Sequence, residues 1–189
     1  MRLTRRGRLR GVTLIELLVT LSVVAILLTL GVGAFRTLIA NAKMTNAANS
    51  LIGHLQFARS EAVKRNRRVE VCPSEDGRTC SANLPVFWQG GYIVAVVDEE
   101  GDVVPPVLRR VDGEAMQGVT AGSGSIEGFI YLPDGTAQPD GMVSGTQWAI
   151  KICDPGEDER IRQVAVNAMG RTHVQCNDPS LYTCPASCP

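Results

Sequence analysis

The chain has 189 residues, 44% of them hydrophobic, and a formal net charge of zero, which suffices for one globular domain and one further element. The balance hides a division: Arg2, Arg5, Arg6, Arg8 and Arg10 precede Gly11 with no acid among them, leaving 14 basic against 19 acidic residues, a net of −5, in the rest. A domain so charged has no global attraction for nucleic acid, so any polyanion site has to be a local patch.

Residues 1–11 read as a basic leader. Residues 12–35 carry one charge, Glu16, before Arg36. That run matches the roughly 20 apolar residues a helix needs to cross a bilayer core. The arginines ahead of it hold the N-terminus in the cytoplasm. The expected placement is a single pass through the inner membrane, in contact with its lipid, with the C-terminal domain in the periplasm. An ordinary secretory signal ends in a small-residue cleavage site. Here the helical pattern runs on through Gly31-Val32-Gly33-Ala34-Phe35-Arg36. Glu16 argues against a plain anchor, because a carboxylate inside a span costs roughly 3 kcal/mol and needs a partner. Cleavage after Gly11 supplies one: a positive α-amino group on Val12, within one helical turn of Glu16.

Residues 36–67 read as an amphipathic helix. Its apolar residues Leu38, Ile39, Ala42, Ala48, Leu51, Ile52, Leu55, Ala58, Ala62 and Val63 fall mostly three and four apart, which puts them on one face. Lys64-Arg65-Asn66-Arg67-Arg68 follows, a charge run suited to a helix C-terminus.

Residues 68–189 change to short strands and turns. Strands are expected at 69–72, 92–97, 107–111, 129–132 and 148–153. Two more, at 161–166 and 172–175, flank Asn167-Ala168-Met169-Gly170, which reads as a hairpin connection. Asp98-Glu99-Glu100-Gly101-Asp102 reads as an acidic hairpin turn rather than a calcium loop, for it lacks the spacing and the downstream acid of one. The expected fold is α+β: a long N-terminal helix, membrane-embedded in its first half, packed on an antiparallel β domain.

All six cysteines, Cys72, Cys80, Cys153, Cys176, Cys184 and Cys188, follow the apolar run. Exported cysteines favour disulfides, with 15 pairings open. Zinc is the weaker alternative, since there is no C-x-x-C pair and His54 and His173 are far apart. The Pro- and Cys-rich tail from residue 177 reads as a loop stapled by disulfides.

Gly11-Val12-Thr13-Leu14-Ile15-Glu16-Leu17 resembles the type IV prepilin signature, in which Phe usually stands where Val12 does. The resemblance implies that a prepilin peptidase cuts after Gly11 and methylates the amino group of Val12. It further implies that Glu16 guides docking among other pilins or pseudopilins. Many relatives carry a helix-kinking proline where this chain has Gly33; Gly31 and Gly33 are expected to soften the helix instead. A second set of words resembles the GspH/FimT group of minor pilins. It comprises Ala58-Arg59-Ser60-Glu61-Ala62, Val71-Cys72-Pro73-Ser74 with Cys80, Trp88-Gln89-Gly90-Gly91-Tyr92-Ile93-Val94 and Gly170-Arg171. In FimT-type pilins involved in DNA uptake, a Gly-Arg-x-Arg motif is implicated in DNA binding. The resemblance makes Arg171 a candidate, with His173 in place of the second arginine and Arg162 and Arg160 as helpers. Histidine lacks the fixed charge and forked donors of arginine, and gains a full charge mainly below its reference pKa of about 6.5.

No P-loop, Gly-x-Ser-x-Gly or His-Glu-x-x-His occurs, so no enzyme, cofactor or metal site is expected. Three functions remain: a minor pilin that primes or caps a type IV pilus, a minor pseudopilin of a type II secretion system, and a pilus-tip subunit that captures DNA. The cysteine content tilts the reading towards the first.

Overall fold

The computed structural model describes residues 11–81, 88, 90–113, 120–122, 126–140, 145–153 and 161–176. Among them one helix, α1 (Leu14–Arg65), precedes nine strands. They are β1 (Val69–Pro73), β2 (Gly91–Val97), β3 (Val103–Asp112), β4 (Thr120–Gly122) and β5 (Gly128–Tyr131), then β6 (Ala137–Asp140), β7 (Gln147–Cys153), β8 (Ile161–Asn167) and β9 (Thr172–Cys176). The chain divides into a unit ending at Ile39 and a unit beginning at Ala40.

In the first unit, Thr13 caps α1: its hydroxyl accepts the backbone N–H of Glu16 at 3.3 Å. Thr13 and Glu16 thus stand at the two positions of a capping box, and the Glu16 charge suits the positive end of the helix dipole. Leu14, Ile15, Leu17, Leu18, Val19, Leu21, Val23, Val24, Ile26, Leu27 and Leu28 are all exposed. At those positions the apolar surface runs right round the helix, a pattern that belongs to a membrane or a core. The polar exceptions are self-satisfied, since Thr20 and Ser22 donate to the carbonyls of Leu17 and Leu18. Among the described residues no helix is long and apolar enough to cross a membrane; the span expected at 12–35 includes residues 29–34, whose side chains, like the softening expected at Gly31 and Gly33, lie outside them.

In the second unit, Met44, Ala47, Ala48, Leu51, Leu55, Ala58 and Ala62 form the buried stripe of α1. Four of the seven are alanines, which let the helix backbone lie close to the sheets. The helix ends at Asn66, whose left-handed φ of 52° lets Arg67 N–H reach the Ala62 carbonyl, a glycine-like C-terminal cap.

Both sheets are antiparallel: β3-β2-β1-β5-β6 and β4-β7-β8-β9. Val69, Val71, Tyr92, Val94, Phe129 and Tyr131 turn one face of the first sheet into the core shared with α1, Ile150, Ile152, Val164 and Val166. Trp88 is fully buried against Tyr92 and Phe129. The opposite face has a smaller apolar layer of Cys72, Ile93 and Ala95, packed by Cys80, Val103 and Val107.

The Cys72–Cys80 disulfide covers that layer, so these two sulfurs are not metal thiolates. Within the loop it closes, Asp76 accepts hydrogen bonds from the N–H groups of Arg78 and Thr79 and from the Thr79 hydroxyl, which hold its carboxyl well below the usual range. Cys153 is buried at the end of β7. Cys184, Cys188 and the side chain of Cys176 lie outside the described residues.

Candidate functional sites

The first candidate site is the start of the chain's helix. Gly11 and Val12 are exposed, ahead of the Thr13 cap. A side chain at Gly11 would meet nothing within 4 Å among the described residues. Nothing in the described fold therefore requires glycine at that position.

The second is a groove of about 720 Å³ between the last turns of α1 and two β turns. Arg59 builds it. Its Nε donates to the Gly135 carbonyl and its Nη2 to the Met169 carbonyl, both at 2.9 Å. One guanidinium, with its fixed fork of donors, therefore ties the β5–β6 turn and the β8–β9 turn to the helix. Gly170 permits this closeness: its φ is +72°, and a Cβ there would collide with the Gly135 carbonyl oxygen and press on Arg59. The Ala137 N–H also donates to the Ala168 carbonyl at 3.0 Å, which joins the two sheets at the same place.

Arg171 lies on the groove and is exposed. Its backbone N–H donates to Asn167 Oδ1 at 2.9 Å, and its side chain has no partner among the described residues. Lys64 lines the same groove and makes a long 3.5 Å pair with Glu61, which Arg65 grips more closely at 2.6 Å. Those two cations hold the Glu61 carboxyl below its ordinary range, Arg65 first.

The residues expected to act with Arg171 are not brought to it. Thr172 faces α1, where Gln56 donates to its hydroxyl, so alternation along β9 sends His173 to the other face of the sheet, beside Gln147 at 3.5 Å. Arg162 pairs in register with Cys176, at the far end of β8 from Arg171, five residues or about 17 Å away at a strand's rise. Arg160 lies outside the described residues. Arg59 was missed as a site residue; its one readable signal was its place in the Ala58-Arg59-Ser60-Glu61-Ala62 word.

The charged runs on either side are structural. Lys64 and Arg65 occupy the last turn of α1, and Arg68 donates to the Glu99 carbonyl at 3.2 Å. Asp98 Oδ1 accepts the Asp102 N–H at 2.8 Å, and Gly101 has a φ of +93°. That closes the acidic hairpin turn expected from the sequence. On the helix, His54 Nδ1 lies 2.7 Å from the Tyr92 hydroxyl; burial, with Arg109 second, lowers the His54 pKa.

Residues 47–170 match the family described as type II transport protein GspH, and residues 6–32 match the prokaryotic N-terminal methylation motif. Among curated proteins none matches the chain by sequence. The fold is similar to that of the type IV minor pilin FimU of Pseudomonas aeruginosa in two crystal forms. One is 27% identical with a TM-score of 0.55, the match covering 79% of this chain and 97% of that one; the other is 28% identical with a TM-score of 0.51, covering 77% and 99%. The minor pseudopilin EpsH of the Vibrio cholerae type 2 secretion system matches at 12% identity and a TM-score of 0.45, over 73% of this chain and 98% of that one. An N-terminal methylation motif, a long N-terminal helix and a two-sheet antiparallel domain with its disulfide thus occur together. The chain belongs to the GspH family, as a minor pilin or pseudopilin of a type IV pilus or a type II secretion system.

Proposed function

We propose that this chain is a minor pilin that primes or caps a type IV pilus. The observation that carries the reading is its likeness to FimU, described as a type IV minor pilin, across nearly all of that chain. On this reading a prepilin peptidase removes residues 1–11, and Val12 becomes the methylated N-terminus. Residues 12–35 cross the inner membrane, and residues 36–67 carry the β domain of residues 68–189 into the periplasm. The all-round apolar surface of α1 then serves twice, first against lipid and later against the helices of neighbouring pilins. Glu16 supplies the single charge that fixes docking. Among the described residues DNA capture would rest on Arg171 with Lys64 nearby, a small footprint that does not favour it as a second reading.

Deleting the gene in its own cells tests pilus against secretion system. Surface pili are expected to fall at least about tenfold, while export of folded proteins continues. Intact piliation with lost export would overturn the reading in favour of the minor pseudopilin.

A further inference from the structure

Glu70 is the second residue of β1, which is paired on both sides. It is 1% exposed, and its Oε1 has no hydrogen-bond partner among the described residues. Alternation places Glu70 on the face of Cys72, opposite Ala95 of β2 and Ile130 of β5. The room for its carboxyl comes from Gly128, since a Cβ there would collide with Oε1. Across that gap stands Asp140, on β6 opposite Gly128 and on the same face of the sheet, where its charge acts on the Glu70 carboxyl.

Two ionised carboxylates have acceptors only and repel each other, so this pair can bond across the gap only where one of the two carries a proton. The surroundings decide which. Asp140 is partly exposed, and Glu70 is not. Glu127, just ahead of β5, adds a second negative charge, and Arg68, just ahead of β1, is the cation that opposes it. From β2 the neighbours are Ala95 and Ile93, and the Cys72–Cys80 disulfide does not titrate. An unpartnered oxygen at full burial suits a neutral carboxyl far better than a charged one.

We propose that Glu70 and Asp140 hold one shared proton across Gly128, and that this proton latches the β5–β6 hairpin to β1. Burial first, then Asp140, raise the Glu70 pKa to about 8. The folded state therefore binds a proton that the unfolded chain has already lost between the ordinary carboxylate range and about pH 8. The latch is at full strength below that range and is lost as pH rises through about 8. The released hairpin carries Gly135, so its loosening also slackens the wall that Arg59 holds.

Infrared titration of the full chain in detergent micelles tests this. At pH 7 the wild type should show the carbonyl band of a buried protonated carboxyl, absent in Glu70→Gln, and lose it near pH 8. In Asp140→Asn the band should disappear at a lower pH, because the negative neighbour is gone. Protection of the β5 and β6 amides, relative to their intrinsic base-catalysed exchange, should fall on the same titration in the wild type and stay flat in Glu70→Gln. A wild-type band unchanged by Glu70→Gln, or an Asp140→Asn titration at the wild-type pH, overturns the shared proton. Should Glu70→Gln fail to fold, the Asp140→Asn titration against wild type decides alone.

Discussion

Glu16→Ala is expected to abolish entry of the chain into filaments while leaving it firmly in the membrane. The two effects have opposite signs, which makes the variant informative. Removing a carboxylate from a span favours insertion by roughly 3 kcal/mol, so an anchor alone would be improved. Assembly would suffer, because the amino group freed on Val12, or that of a neighbouring pilin, loses its counter-charge in a medium of low dielectric. Breaking a buried ion pair by removing one partner costs about 3–5 kcal/mol, which is at least about a hundredfold in an equilibrium. The measurement is the amount of chain in sheared filaments relative to membranes. Unchanged incorporation of Glu16→Ala would reduce the molecule to a tethered domain.

Gly170→Ala is expected to be the most damaging glycine-to-alanine change among the described residues of the β domain. Holding a non-glycine residue at a φ of +72° costs of order 1–2 kcal/mol. The added Cβ also pushes away the Gly135 carbonyl and so weakens the charge-assisted bonds of Arg59, each worth about 1.5–3 kcal/mol. A total near 3 kcal/mol lowers the thermal midpoint by about 6–12 °C for a chain of this size. Gly101→Ala is the control: its φ of +93° is as demanding, but nothing lies within 4 Å of a Cβ there, so it bears the backbone cost alone. Arg59→Ala should approach the Gly170→Ala effect, and the double variant should be less destabilised than the sum, because both remove one node. Equal midpoints for Gly170→Ala and Gly101→Ala would contradict this account.

That glycine shows how unevenly the sequence discloses the molecule. The apolar run and the amphipathic stripe are local patterns, and α1 runs through both to Arg65, although Leu38, Ile39 and Val63 of the expected stripe are exposed and Met44 and Ala47 join its buried face. Strands such as β2, β7 and β8 were legible from apolar runs bounded by turns, within one residue at each end. Others were hidden in whole or part. β6 contains Pro139, and of β3 only 107–111 was legible, because the strand also runs through Pro105 and Pro106; proline reads as a break, yet both are edge strands, where a missing N–H is tolerated. β4, at three residues, is too short to carry any period.

Glu70 marks the limit of the rule that makes strands legible. In Val69-Glu70-Val71 alternation by itself would turn the acid to solvent, but Glu70 is buried on the face that the Cys72–Cys80 disulfide covers. Gly170-Arg171 was legible as a word, while the reason for its glycine, contact with Arg59 and Gly135, joins segments far apart in the chain. Nor could the sequence show that Arg171, His173 and Arg162 would be dealt to different faces and ends of one sheet.

The proposed role depends on a cut that exposes an amine beside the membrane carboxylate. The most direct measurement is the intact mass of the protein extracted from membranes, with its N-terminal peptide. The account predicts a chain that begins at Val12 and carries one methyl group on its amino nitrogen. A chain from wild-type cells that still begins at Met1 would contradict it.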